Sequence, residues 1–594
     1  MRSRLSEVVL GLVCVSASAW GQYVISTVAG MGPGNYGYTG DNGPPTIAEL
    51  NYPSSVVYAG GNLYIADTSN HCVRMISNGI ITTFAGICGE PGFFGDGGPA
   101  ISAQLFNPSA LTVDENGDVL IADTSNNVVR IVVPSGIIST FAGDHDQGAG
   151  YTGDGGLATN AKLDSPNALA CDINGNIYIT DPVHSVIRKV NATSQCAVID
   201  NTNTCGNFIS TPVGINGSGG ILSHPNGVAV DPNLNLYISD TTGRIFKYSN
   251  GVLSVLAGTG NIGYGGDNGP GTKAELDNPT GLALDAAGNL YVADTNNLRI
   301  RVIAPNGIIT TIAGSSNAGY SGDGGPALKA AMFFPHQAVP DGLGNIYIAD
   351  TENNVIRMLT IAAPAITSNQ VVNGASFQPQ VAPGSLASIF GTNLATSTTP
   401  EAAAPLPKTL AEATVSVNGT AAPILYASPT QINFQVPWET APGSATVTVT
   451  VDGTAGNTMT VPVTAASPGI FFNSSTGAAI AQNHDYSLNT PSNPAQEGNY
   501  LIAYLTGSGA VTPAVADGAA TPSTGLVQLP SGVSVSATIG GQPATVLGAA
   551  LTAGFVSLLQ LNITVPSGLA AGNYPLVVTI GGQVSNSATV SIAP

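Results

Sequence analysis

Residues 108–143 read PSALTVDENGDVLIADTSNNVVRIVVPSGIISTFAG, and this stretch decides the fold. It contains four runs of mostly β-branched residues, separated by short segments rich in Gly, Asn, Asp and Pro. That pattern is typical of strands joined by tight turns. No segment between the runs is long enough for a crossover helix, which parallel strands would need. The stretch therefore predicts a four-stranded antiparallel meander.

The same unit recurs six times along the chain. Each copy opens with a proline, and its second predicted strand ends in an aspartate: Asp67, Asp123, Asp181, Asp240, Asp294 and Asp350. The spacing of these aspartates varies only between 54 residues (240 to 294) and 59 residues (181 to 240). A regular period indicates units that bury a core only by packing together. Four-stranded sheets in a radial array form a β-propeller.

The two ends of the repeat predict the number of blades. The sixth copy stops after its third strand, at Thr360, and lacks a fourth. A strand-like run, Val24 to Gly30, precedes the first copy and has no unit of its own. If this run completes the sixth blade, residues 22–362 form a closed ring of six blades.

The second strands of these units resemble NHL repeats. The likeness lies in NLYIADT (62–68), NIYITD (176–181) and NLYVADTNN (289–297). In five copies an arginine stands seven residues after the aspartate, and Lys247 takes that place in the fourth copy; the arginines are Arg74, Arg130, Arg188, Arg301 and Arg357. The resemblance implies a six-bladed propeller. NHL propellers in general bind proteins or RNA and a minority are enzymes, so the resemblance leaves function open.

A second motif recurs in five of the segments that precede the units. It centres on the aspartates Asp41, Asp96, Asp154, Asp267 and Asp323, each preceded at three residues by an aromatic residue: Tyr38, Phe93, Tyr151, Tyr264 and Tyr320. These inter-blade segments resemble those of teneurin propellers. One interpretation makes each aspartate an N-cap or Asx-turn of a short helical turn. The other interpretation is that each aspartate binds calcium or another ligand. Recurrence at nearly every junction favours the structural interpretation.

The aspartates that end the second strands also have two interpretations. Each can accept hydrogen bonds from the backbone of its own turn and pair with the arginine seven residues on. If one face of the propeller binds a ligand, the candidate residues in its loops are Asp67, Asp123, Asp181, Asp240, Asp294 and Asp350, together with Tyr38, Tyr151, Tyr264 and Tyr320.

An enzymatic interpretation depends on histidines. His224 precedes the proline that opens the fourth unit, and His336 follows the proline that opens the sixth, so both are expected at the mouth of the central channel. Two histidines are fewer than the three protein ligands of a catalytic zinc site. The sequence thus favours a protein that is not an enzyme. No cofactor is predicted, although zinc or calcium stays open.

The charge balance excludes one class of partner. The formal net charge is −20 and only 8% of residues are charged. Such a surface repels phosphate backbones, and no cluster of Lys and Arg offsets it. We therefore expect no nucleic-acid partner.

The N-terminus indicates export. A basic start, an apolar run and the cleavage-like sequence Ala17-Ser18-Ala19 predict a signal peptide over residues 1–21. No later stretch predicts a transmembrane segment, so the protein is expected outside the cell, at its surface or in the periplasm. Export permits disulfides, and the candidate pairs are Cys72 with Cys88 and Cys196 with Cys205.

The chain changes character after Pro364. QINFQVP (431–437) recurs as QLNITVP (560–566), and each copy precedes an alternating strand. This duplication predicts two Ig-like β-sandwiches over residues 365–467 and 468–594. The opening PGSLASIFGTNL (383–394) resembles IPT/TIG domains. The pair is similar to a module of unassigned function found in secreted soil bacterial proteins.

The sequence as a whole predicts an all-β, exported scaffold that is not an enzyme and whose propeller face binds a protein or a carbohydrate. The first alternative is a propeller lyase or lactonase with a metal ion in the central channel. The second is a structural component of the cell surface or matrix. The oligomeric state stays undetermined.

Overall fold

The computed structural model describes residues 23–192, 195–199, 202–214, 222–400 and 404–594, without the side chains of 195–205. It divides into two compact units, Gln22–Ile361 and Ala362–Pro594. The predicted signal peptide over residues 1–21 lies outside the described residues.

The first unit is a six-bladed β-propeller, which confirms the predicted fold. The strands of blades one to three are Pro53–Ala59, Asn62–Asp67, Cys72–Ser77 and Ile80–Ala85; Pro108–Val113, Val119–Asp123, Val128–Val132 and Ile138–Ala142; Leu169–Cys171, Ile177–Asp181, Val186–Val190 and Ile209–Val213. Those of blades four to six are Pro225–Val230, Leu236–Asp240, Arg244–Ser249 and Val252–Ala257; Pro279–Leu284, Leu290–Asp294, Arg299–Ile303 and Ile308–Ala313; Pro335–Pro340, Ile346–Asp350, Val355–Ile361 and Tyr23–Ala29. The first strands contact one another in sequence, and that of blade six contacts that of blade one.

The ring closes as predicted. Tyr23–Ala29 pairs antiparallel with Val355–Ile361 as the fourth strand of blade six. Within this pairing Ile25 lies opposite Leu359, and both side chains are fully buried. A side-chain bond also links the last blade to the first, because the Thr351 hydroxyl donates to the carbonyl of Pro53 at 2.8 Å. Equivalent bonds join other neighbouring blades: Thr68 to Pro108, Thr124 to Pro166 and Thr295 to Pro335.

Short 3-10 helices occupy two recurring places. One group lies in the inter-blade segments: Pro45–Ile47, Ala100–Ser102, Ala158–Asn160, Gly271–Lys273 and Ala327–Lys329. The other forms the turns between second and third strands: Thr68–Asn70, Thr124–Asn126, Thr295–Asn297 and Thr351–Asn353. Each inter-blade segment buries small and apolar side chains against the blades, as Ala48 and Leu50 do before blade one.

Blade three carries an insertion between its third strand, Val186–Val190, and its fourth, Ile209–Val213. Here the strands Gln195–Ile199 and Thr202–Gly206 form a separate hairpin in which Cys196 lies opposite Cys205. Their side chains lie outside the described part of the structure, so a disulfide at this place stays a prediction.

The predicted disulfide between Cys72 and Cys88 is confirmed, with a Cα–Cα distance of 5.1 Å. Cys72 opens the third strand of blade one and is fully buried. The bridge closes a loop with a sequence separation of 16. A disulfide that closes a loop of this length restricts the unfolded chain and thereby stabilises the fold.

Removal of this bridge should destabilise the propeller. We expect the double variant Cys72→Ala/Cys88→Ala to lose about 2–3 kcal/mol of unfolding free energy in urea titrations. Cys171→Ala is the matched control because Cys171 is a free, half-buried thiol. Equal midpoints for the double variant and the control would show that the bridge contributes no stability.

The second unit contains two β-sandwiches. In the first, one sheet contains Ala365–Asn373, Leu386–Thr392, Gln431–Gln435 and Ile424–Ser428, and the other contains Thr409–Leu410, Ala413–Val417, Thr420–Ala422, Gly443–Val451 and Thr454–Val463. In the second, one sheet contains Gly469–Ile470, Ala481–Asn483, Tyr500–Thr506, Leu559–Thr564 and Val546–Leu551. The other contains Ala495–Gln496, Ala588–Ala593, Gly572–Ile580, Gln583–Val584, Val535–Ile539 and Gln542–Ala544.

The sequence duplication corresponds to equivalent strands in the two sandwiches. Gln431–Gln435 and Leu559–Thr564 each lie third in the order of their sheet. The two sandwiches share an apolar cluster that includes Leu386 from the first and Tyr504 from the second. The fully buried Gln435 donates to Ser557 and accepts from the backbone of Gly518, so a polar link also crosses this interface.

Candidate functional site

Five arginines are buried inside the propeller blades, each between two carboxylates. Arg74 is fully buried; its guanidinium lies 2.6 Å from Asp41 of the inter-blade segment and 3.5 Å from Asp67 of the second strand. The other four sets have the same composition: Arg130 with Asp96 and Asp123, Arg188 with Asp154 and Asp181, Arg301 with Asp267 and Asp294, and Arg357 with Asp323 and Asp350. Each arginine therefore fixes an inter-blade segment to the following blade.

The N-cap interpretation of the inter-blade aspartates is wrong. The residues at the N-caps of those 3-10 helices are Pro44, Pro99, Leu157, Pro270 and Pro326, and none makes a side-chain cap bond. Instead, one carboxylate oxygen of Asp41 accepts from the Arg74 guanidinium, and the other accepts from the backbone N–H and the hydroxyl of Thr83. Asp96, Asp154, Asp267 and Asp323 likewise pair with their arginines. A buried guanidinium attracts a carboxylate more strongly than the neutral amides of a helical turn do.

The aspartates that end the second strands cannot form a binding surface. Asp67, Asp123, Asp181, Asp240, Asp294 and Asp350 are all 0% exposed. In blade one the Asp67 carboxylate accepts from the backbone of Asn51 at 2.7 Å and from the Asn70 amide at 2.8 Å. One partner is thus a backbone N–H in front of the first strand, and the other is the amide of Asn70 in the turn that follows Asp67. The expected bonds within the aspartate's own turn occur in blade four, where Asp240 accepts from Thr242.

Burial controls the titration of these carboxyls. It raises the pKa of Asp67 to about 7, although the bonds from Asn70 and Asn51 and the charge of Arg74 act in the opposite direction. Burial likewise raises the pKa of Asp123, Asp294 and Asp350 to about 6. The cause is the loss of water around the charged form.

The aromatic residues of the inter-blade segments cover the buried arginines. The guanidinium carbons lie 4.9–5.2 Å from the ring centres of Phe93, Tyr151, Tyr264 and Tyr320. The hydroxyls of those three tyrosines contact Asp154, Asp267 and Asp323. Tyr38 lies against Gly89. Any part of these tyrosines in ligand binding stays a prediction.

Blade four lacks the buried arginine, and the prediction that Lys247 replaces it is wrong. The turn after Asp240 is one residue shorter than the turn after Asp67 in blade one. In the strand register Asp240 therefore lies opposite Arg244, whereas Asp67 lies opposite Cys72. Phe246 consequently lies opposite Ile238, as Arg74 lies opposite Ile65, and Phe246 is buried. Lys247 faces the other side, over the ring of Tyr237. The junction before this blade also lacks the aspartate motif, so arginine and partner are absent together.

The central channel opens into a polar cavity of about 250 Å³. One residue per blade, directly after the opening proline, lines it; we call these residues the mouth ring: Ser54, Ser109, Asn167, Asn226, Thr280 and His336. The sequence analysis missed this ring apart from His336. The residue after each opening proline was the available signal.

Hydrogen bonds around the mouth ring hold its side chains in place. Several donate to the ring residue of the next blade: Ser54 to the carbonyl of Ser109, Ser109 to that of Asn167, Asn167 to that of Asn226, and Thr280 to that of His336. The amide of Asn226 donates to the side chain of Asn278 at 3.1 Å. Within the described part of the chain, the side-chain oxygens of Asn167 and Asn226 accept no hydrogen bond, and the His336 imidazole makes none. These groups are available to a ligand.

The two histidines predicted at the mouth are not brought together. His336 lines the cavity, whereas His224 is exposed and is not among the lining residues. The physical reason is the backbone: His224 has φ 58°, a left-handed conformation that turns the chain immediately before Pro225. Among the described residues no group of three or more His, Cys, Asp or Glu side chains is arranged to hold a metal ion. The residues at the mouth do not fit a zinc or calcium centre.

Burial favours the neutral form of the His336 imidazole. Burial lowers the pKa of its imidazole below the ordinary 6.5, and the carboxylate of Glu352 offsets only part of this effect. A neutral imidazole has one donor and one acceptor nitrogen. The mouth ring therefore presents hydrogen-bonding groups without net charge.

Comparison with known families agrees with this architecture. Residues 50–74 match the NHL repeat, residues 260–321 match the teneurin NHL domain, and residues 375–465 match the IPT/TIG domain. This chain carries NHL repeats followed by an IPT/TIG domain. The two NHL matches contain Ser54 and Thr280 of the mouth ring and the buried arginines Arg74 and Arg301.

The curated relatives that this chain matches include much longer proteins. Teneurin-4 of Mus musculus is 30% identical over 237 residues, which is 36% of this chain but 8% of that relative. Protein SUPPRESSOR OF QUENCHING 1, chloroplastic, of Arabidopsis thaliana is 26% identical over 347 residues, which is 54% of this chain and 31% of that protein. The chain thus spans less than a third of either relative.

Solved structures show remote likeness to the chain. An auxiliary nutrient binding protein from Bacteroides ovatus has 17% identity and a TM-score of 0.41, covering 57% of this chain and 77% of that one. A catalytically inactive virginiamycin B lyase from Staphylococcus aureus has 13% identity and a TM-score of 0.35, covering 57% and 100%. Likeness at this level carries no argument about function. In the described residues, no helix has the length and apolar character that a membrane span requires.

Proposed function

We propose that this protein is an exported binding protein without enzymatic activity, and that the mouth ring is its ligand site. The observation that supports this proposal is the set of six polar side chains around one cavity, with free acceptors on Asn167 and Asn226 and a free imidazole on His336. The ligand is a neutral molecule or segment, carbohydrate or protein. The two sandwiches serve as a scaffold for the propeller.

The character of the cavity favours a neutral ligand. The described residues that line it include no carboxylate, lysine or arginine. A charged ligand would lose its hydration there without gaining a counter-charge, which is costly. Hydroxyl and amide groups can instead exchange their bonds to water for bonds to the ring.

The same lining argues against a lyase or lactonase. Hydrolysis and elimination require positioned acid and base groups or a metal ion. His336 is the single side chain among the described lining residues that titrates near neutral pH. One imidazole without an orienting carboxylate bond is a weak basis for catalysis, whereas it suits recognition.

A thermal-shift screen of neutral saccharides and uncharged peptides tests the proposal. We expect at least one ligand to raise the melting temperature of the full chain, and Asn226→Ala to weaken its affinity by about tenfold through loss of hydrogen bonds. The control is Asn116→Ala, which changes an exposed asparagine in a turn of blade two. Equal affinities for the two variants would place the ligand elsewhere.

The pKa of His336 predicts the pH dependence of binding. Since burial keeps this pKa below 6.5, affinity should be constant above that pH. It should fall only in more acidic solution, where the imidazole becomes charged. Titrations with His336→Gln should lack the acid-dependent fall. If acidification already weakens binding by the unmodified protein while the solution is still above neutral pH, this assignment is wrong.

A further inference from the structure

Aromatic residues directly precede the opening proline in three consecutive blades. The two residues before the opening proline are Phe333 and Phe334 in blade six, Asn51 and Tyr52 in blade one, and Phe106 and Asn107 in blade two. In blades three to five the same places hold Asp164 and Ser165, Ser223 and His224, and Asp277 and Asn278. We call Phe333, Phe334, Tyr52 and Phe106 the aromatic arc. It follows three consecutive blades.

Contacts between blades hold the arc together. The rings of Phe333 and Phe334 stack with centres 4.9 Å apart. The backbone N–H of Glu352 donates to the carbonyl of Phe333, and the carboxylate of Glu352 accepts from the Tyr52 hydroxyl. Burial and this bond raise the pKa of Tyr52 to about 12. The phenol thus stays protonated and fixed at neutral pH.

The other end of the arc is also fixed. The ring of Phe106 packs edge-on against the ring of His71, with centres 5.4 Å apart. The His71 ring accepts a hydrogen bond from the backbone of Asn107. These contacts orient Phe106 through blade one.

The arc lies on the chain immediately before the mouth ring and outside the lining of the cavity. Tyr52 and Phe334 have φ values of 58° and 49°. Bulky residues rarely adopt this left-handed conformation. At Tyr52 and Phe334, as at His224, it turns the chain before the opening proline, so these rings border the mouth and do not line the cavity. Tyr52 is 38% exposed and Phe106 is 37% exposed, so both rings remain accessible.

We propose that the mouth ring and the aromatic arc together bind a neutral oligosaccharide; this inference rests on the function proposed above. A sugar ring has an apolar C–H face that packs on aromatic side chains and a rim of hydroxyls that form hydrogen bonds. The arc offers the first kind of contact. The free oxygens of Asn167 and Asn226, with the imidazole of His336, offer the second within the adjoining cavity.

Other occupants fit less well. A lipid or an apolar helix would cover the arc but leave the amides of the cavity without partners, which costs free energy. A charged polysaccharide would find no opposite charge among the described lining residues. A neutral sugar chain satisfies both surfaces at once.

Isothermal titration of the full chain with cellohexaose, xylohexaose, mannohexaose, maltohexaose and chitohexaose tests the inference. We expect one of these probes to bind, and Tyr52→Ala to weaken its affinity by about tenfold through loss of the stacking surface. Tyr52→Phe retains the ring and should keep most of the affinity. Phe94→Ala is the control, since Phe94 is 68% exposed and lies outside the arc. Melting curves check that each variant is folded, and Phe106→Ala provides a second arc variant.

Each outcome decides the inference. Binding of a probe that depends on both Asn226 and Tyr52 supports it. Binding that Asn226→Ala weakens but Tyr52→Ala and Phe106→Ala leave unchanged would overturn the arc and keep the mouth ring. If no probe binds while an uncharged peptide does, the carbohydrate assignment is wrong and the proposed function stands. If neither class of ligand binds, both fail.

Discussion

Replacement of Arg301 by methionine should lower the free energy of unfolding by about 3–5 kcal/mol. The Arg301 guanidinium is fully buried and lies 2.8 Å from Asp267 and 3.4 Å from Asp294. It also donates to the carbonyls of Glu275 and Gly265 at 2.9 Å. Methionine would fill much of the volume but leave a buried carboxylate without its cation. The largest part of the expected effect is the cost of a buried carboxylate left without a partner, and the loss of packing contributes less.

Lys247→Met is the matched control for this experiment. Lys247 stands at the spacing from Asp240 that the arginines have from their aspartates, yet it is only half-buried and contacts Tyr237. A change below about 1 kcal/mol is expected there. Urea titrations of both variants measure the difference. Equal losses in the two variants would show that the buried arginines do not hold the blades.

Replacement of Ile25 by aspartate should cost about 4 kcal/mol, because it places an unpaired charge in a fully buried site. Ile25 lies in Tyr23–Ala29, the strand that closes the ring, between Leu359 and Gly325. Release of this strand would expose the edge of Val355–Ile361, and exposed edges pair with other chains. We therefore expect both a lower unfolding midpoint and association in light scattering.

The neighbouring residue supplies the control for ring closure. Ser26 is half-buried in the same strand, so Ser26→Asp tests the charge without burying it fully. A monomeric Ile25→Asp variant with an unchanged midpoint would mean that the terminal strand is not needed to close the propeller.

The fold was predictable because its signals are local and repeated. Turn residues, β-branched runs and a constant period lie within each unit, and the unpaired run at Val24 to Gly30 indicated how the ring closes. The disulfide between Cys72 and Cys88 followed from antiparallel pairing of neighbouring strands. The strands and the disulfide need only residues that are close in sequence, and ring closure needs only the unpaired strand at one end of the repeat and the missing strand at the other.

The pairing of second-strand aspartates with the arginine seven residues on was predicted correctly for five blades, as for Asp67 with Arg74. The role of the inter-blade aspartates was mispredicted because their partners are distant in sequence. Arg74 and Asp41 are separated by 33 residues and meet only when the inter-blade segment docks on the blade. Rules for N-caps consider nearby backbone and cannot anticipate such a partner. The prediction for the fourth blade was wrong for another reason. Its turn is shorter by one residue, which changes the side chain that faces inward. Equal spacing from Asp240 therefore indicated Lys247, whereas Phe246 occupies the buried place.

The mouth ring could be recognised only in the assembled propeller. Its members come from six blades and share only their place after an opening proline. Single residues such as Ser54 and Thr280 carry no chemical signature by themselves. The prediction for His224 failed because a left-handed backbone before Pro225 cannot be read from residue type.

A crystal structure of the full chain with the ligand found in the thermal-shift screen tests the binding assignment most directly. The mouth ring predicts that the ligand occupies the central cavity, with polar atoms within hydrogen-bonding distance of Asn226 and His336. A ligand bound to the sandwiches or the inter-blade segments, with the central cavity empty, would contradict it.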